Sequence, residues 1–179
     1  LALEDFTARV NSDVVGKLVN IASRCAPFIE RSGGSLAESL ADPALYAEFA
    51  GAADSLAAQF EGRDYAGAIR EIMLLADRAN QYVDAPKPWV LAKAPARLTE
   101  ARAVATQAIN LFRVLMTYLA PVMPGIAARA AEWLGPDRVL WASDYPHPEF
   151  HSEVVKELRE AIAPLPDDAQ NKILGENAI

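Results

Sequence analysis

Two sets of residues in this chain have the types and spacing to do chemistry. The first is Asn20 and Arg24 with Trp89. Asn20 and Arg24 are four apart, so on a helix they stand one above the other on the same side. An amide and a guanidinium at that spacing offer several hydrogen-bond donors, suited to the edge of a base or to a phosphate. The plainer alternative is a solvated polar face. Trp89 follows the turn Ala85-Pro86-Lys87-Pro88. Prolines at 86 and 88 disfavour helix for the residues just before them and pin the chain in a bend. Pro88 suits the first position of a new helix, where its missing N–H costs nothing. A Trp there can offer a flat face to a ligand or close the core under the bend, as large aromatics commonly do. The second set is Asp144, His147 and His151. Carboxylate and imidazole are metal-ligand types. The two histidines are four apart, but Pro148 between them opposes the helix that would align them, so no metal site is expected here.

The elements that must position these residues read as helices. Phe6, Val10, Val14, Leu18, Ile21, Cys25 and Phe28 recur at three or four residues, which predicts one long helix, or two in series, over 3–31, kinked by Pro27. Ser32-Gly33-Gly34-Ser35 stops it. A loop follows, with room for a short turn at 36–40. Asp42-Pro43 reads as a cap followed by proline at the first helical position, starting a helix over 44–60. Asp64 caps a third helix with Tyr65, Ile69, Ile72, Ala76, Ala79 and Val83 on its apolar face. Its charges Arg70, Glu71, Asp77 and Arg78 read as solvated. This helix ends near Val83 and Asp84, at the bend. A long helix over 97–119 is apolar on nearly every side in its second half and belongs inside a bundle. A short helix over 126–134 completes an all-α bundle.

Composition narrows the function classes. The 52% hydrophobic content over 179 residues supports a real core. One cysteine, Cys25, excludes an internal disulfide and fits a reducing, cytoplasmic setting. No apolar run approaches the roughly 18–20 residues of a membrane span, so no membrane partner is expected. No charged-then-apolar leader opens the sequence, and its start at Leu1 reads as a cut from something longer. A net charge of −7, with the acidic excess concentrated after Gly135-Pro136, argues against holding nucleic acid by phosphate neutralisation. It leaves room for reading a few unstacked bases.

Six collinear segments carry a resemblance: Val10-Asn11-Ser12-Asp13, Val19-Asn20-Ile21-Ala22-Ser23-Arg24, Ala68 to Met73, Ala79 to Asp84, Pro88 to Lys93 and Asn110 to Met116. In order and spacing, residues 1–134 resemble the anticodon-binding domain of bacterial-type methionyl-tRNA synthetases. The resemblance implies a helical module that binds the CAU anticodon of methionine tRNA. It implies that Asn20 and Arg24 contact the first anticodon base, that Trp89 stacks on the anticodon, and that Asp84 and Pro88 shape the same surface. The parent family's ATP-binding catalytic domain, its HIGH-like and KMSKS-like segments and any zinc-binding Cys pair are absent. The chain is therefore expected to bind tRNA without charging it and to hold no cofactor itself.

Residues 135–179 depart from that pattern. Gly135-Pro136-Asp137-Arg138-Val139-Leu140 with Ser143-Asp144-Tyr145-Pro146-His147, and the closing Lys172-Ile173-Leu174-Gly175-Glu176-Asn177-Ala178, resemble the end of the metal-dependent amidohydrolases related to aminocarboxymuconate-semialdehyde decarboxylase. The resemblance makes Asp144 a metal-facing residue at the end of a barrel strand, with His147 beside it. A barrel needs eight strands and further ligands, so this segment alone is not expected to act. The chain reads as composite, a helical domain over 1–134 and a tail over 135–179 with a short extended piece at 138–142 and helices near 152–162 and 167–174. The alternatives to a tRNA-binding module are an inactive bundle and a fragment of a metal-dependent hydrolase.

Overall fold

A computed structural model describes residues 2–134, and the tail elements expected at 138–174 lie outside the described residues. The described chain is all-α. Its helices are α1 (Leu3–Arg9), a π-helical run (Val10–Val19), α2 (Asn20–Arg31), α3 (Pro43–Gly51), α4 (Ala53–Glu61), α5 (Tyr65–Asp84), α6 (Pro88–Leu91), a 3₁₀ turn (Pro95–Arg97), α7 (Leu98–Leu119) and α8 (Pro124–Leu134). No strand occurs among the described residues. The chain divides between Pro124 and Gly125 into two compact units.

In the first unit α7 is the central helix. It packs against α2, α3, α5 and α6. Leu111, Leu115 and Leu119 are fully buried along it, and Phe112 and Met116 nearly so, as its apolar second half predicts. Leu18, Ile21 and Cys25 meet this core from the N-terminal segment. Each such aliphatic side chain contributes about 1.5–3 kcal/mol by leaving water.

The long N-terminal helix is continuous but not uniform. Its apolar residues first recur by strict fours, at 6, 10, 14 and 18, and then by threes and fours. A strict four exceeds the α-helical 3.6 residues per turn, so an α-helix would rotate the face away from the core. The wider i→i+5 turn of the π run over Val10–Val19 counteracts that drift. At Asn20 the spacing tightens and α2 begins.

The expected helix over 44–60 is broken into α3 and α4 around Gly51-Ala52, where a glycine weakens the helix and Ala52 serves as the boundary of both pieces. Asp42 and Asp64 act as caps. Asp42 Oδ1 accepts from Leu45 N–H at 2.9 Å, and Asp64 Oδ1 accepts from Gly67 N–H at 2.9 Å. No helical turn forms at 36–40, because α7 side chains compete for that backbone. Ala37 N–H donates to Thr106 Oγ1 at 2.9 Å. Arg102 donates to the carbonyls of Ser35 and Leu36, both at 2.9 Å. Gln107, fully buried, accepts from Asp42 N–H at 3.2 Å and donates to Asp42 C=O at 3.0 Å.

The charges on α5 do more than face solvent. Asp77 pairs with Lys17 at 2.9 Å, Arg78 with Glu48 at 3.1 Å, and Glu71 accepts from Ser55 at 3.0 Å. They tie α5 to the π run, α3 and α4.

Candidate functional site

The bend after α5 is built by two opposite responses to its prolines. Ala85 precedes Pro86 yet stays right-handed helical, at φ −66° and ψ −57°, because its N–H still donates to Gln81 C=O at 3.1 Å. Lys87 precedes Pro88 and leaves the helix, taking the left-handed region at φ 51°. A non-glycine residue there is uncommon and strained. That reversal starts α6 with Pro88 at its first position, as the sequence predicts. Pro88 is buried under the bend, and Trp89, next in line, is turned outward and is 36% exposed.

Three of the five predicted binding residues converge. Asp84 ends α5, Trp89 opens α6, and Arg24 reaches both from α2. The Arg24 guanidinium carbon lies 4.5 Å from the Trp89 ring centroid. The same guanidinium forms an ion pair with Asp84 through Nη2 and Oδ1. Trp89 is therefore neither a core plug nor a bare platform, because one face of its ring carries a cation. Asn20 sits at the start of α2, one turn before Arg24, and its side chain makes no hydrogen bond to the other four among the described residues. Asp144 and His147 lie outside the described residues.

Next to Arg24, Cys25 is fully buried. Burial pushes its thiol up to about 12, against the opposing pull of the Arg24 charge. Such a thiol stays protonated and serves packing, not nucleophilic or metal chemistry. Burial likewise raises the Tyr82 phenol to about 12, with the Asp42 charge adding to it.

Several polar residues escape a reading by periodicity. Asn80 Nδ2 donates to Lys17 C=O at 3.1 Å and Ala76 C=O at 3.0 Å, while its buried Oδ1 has no partner among the described residues. Arg113 donates to Tyr46 Oη at 3.1 Å. An open groove of about 410 Å³ between α3 and α5 is lined by Asp42, Glu48, Arg78, Gln81 and Tyr82 among others. No cluster of three or more His, Cys, Asp or Glu capable of holding a metal occurs among the described residues. No helix among them is long and apolar enough to cross a membrane.

Comparison with known families supplies the class. The model of the amidohydrolase family matches residues 34–179, most of the chain, and the chain belongs to that family. The match begins far upstream of residue 135, where the sequence first shows its amidohydrolase pattern, and takes in α3 to α8.

This membership corrects the synthetase reading. A hydrolase family stands where a methionine–tRNA ligase, a tRNA- and anticodon-binding module and a role in protein biosynthesis were expected. The structure gives a physical reason why the six segments were a poor guide. Many of their residues, including Ile21, Ala22, Ala68, Ile72, Ala79, Val83, Leu91, Leu111 and Leu115, are core positions that any helical bundle fills with such side chains.

Proposed function

We propose that this chain is part of a metal-dependent hydrolase of the aminocarboxymuconate-semialdehyde decarboxylase-related kind. It supplies an acidic metal ligand, Asp144, and a helical body that carries no chemistry of its own. The observation that carries this reading is the family match over residues 34–179, which includes the Ser143-Asp144-Tyr145-Pro146-His147 segment. A carboxylate with an imidazole close by in sequence has the donor chemistry for zinc or a similar divalent ion.

The chain holds two histidines, His147 at the end of this segment and His151 four residues beyond it. A barrel hydrolase draws its ligands from several strands, so Asp144 and His147 are one part of a ligand set. When bound, the metal would polarise a carbonyl or activate a water. The single cysteine, buried and held protonated, accords with a reducing cytoplasmic compartment. Calorimetric titration of the chain with Zn²⁺, beside the Asp144→Asn variant, tests the reading. Heat of binding that is lost in the variant supports it. Equal and weak uptake by both leaves a helical bundle without metal chemistry.

A further inference from the structure

We draw no further inference here: the strongest candidate, the open groove between α3 and α5 lined by Asp42, Glu48, Arg78 and Tyr82, carries nothing, because Glu48 and Arg78 are paired with each other, Asp42 caps α3, and nothing in the structure shows what occupies it.

Discussion

The Arg24 guanidinium stacks 4.5 Å from the centre of the Trp89 ring while pairing with Asp84, so one side chain from α2 clamps the end of α5 to the start of α6. Each contact is modest by itself. An ion pair with an exposed carboxylate is worth about 0–1 kcal/mol, and an exposed cation–π contact about 0.5–1 kcal/mol. A double-mutant cycle of Arg24→Ala and Trp89→Leu, followed by urea unfolding, should give a coupling of about 0.5–1 kcal/mol. A coupling near zero would mean that the stacking is geometric only.

The family match starts at residue 34, but the core does not. Leu18, Ile21, Cys25 and Phe28 are buried, and α2 packs on α7. A fragment beginning at Gly34 should therefore lose cooperative thermal unfolding, read by far-UV circular dichroism. In the full chain Leu18→Ala should cost about 2–5 kcal/mol, the usual range for such a truncation in a core. A fragment that melts as sharply as the full chain would show that α2 is dispensable.

Gln107 is a buried amide that satisfies both backbone groups of Asp42. Replacing it with Leu would leave Asp42 N–H and C=O without those partners. Gln107→Leu should lower stability by about 0.5–1.5 kcal/mol, the net worth of a hydrogen bond, because the half-buried Asp42 N–H loses its partner while its C=O keeps Tyr46 N–H. Urea denaturation measures this, and a loss under half a kilocalorie would place water in the amide's role.

Alkaline pH should destabilise the bundle. Cys25 moves from an ordinary 9.0 to about 12 on folding, and Tyr82 from 10.0 to about 12. Both groups therefore bind their protons more tightly in the folded state. Their contribution is fully present below pH 9 and is lost as pH rises through about 12. Unfolding free energy should fall across that window, and Cys25→Ala should flatten the fall. The native thiol should also resist a disulfide reagent at pH 8 until the protein unfolds; prompt labelling would contradict its burial.

What was legible in the sequence was whatever depends on local pattern. Asp42 and Asp64 cap as their positions predict, Pro88 opens α6, and the apolar half of α7 is central. What was not legible depends on partners far along the chain. Arg24 and Asp84 are 60 positions apart, and no periodicity reports that one will neutralise the other. The same holds for Arg78 with Glu48 and for Gln107 with Asp42. The break at Ala52 was missed because the apolar face runs on across Gly51. The π run was missed because strict fours and α-helical spacing look alike over two turns. The candidate site was read at the level of which residues lie near the bend, while its assignment to tRNA came from a resemblance that the family match overturns.

The proposed metal function is tested most directly at Asp144. The measurement is calorimetric titration of the intact chain and of Asp144→Asn with Zn²⁺ at neutral pH, with circular dichroism to confirm that both keep the helical fold. The account predicts weak uptake by the chain, whose Asp144 and His147 are one part of a ligand set, and still weaker uptake by the variant, since a neutral amide is a far poorer zinc ligand than a carboxylate. Indistinguishable binding isotherms for the two folded proteins would contradict it.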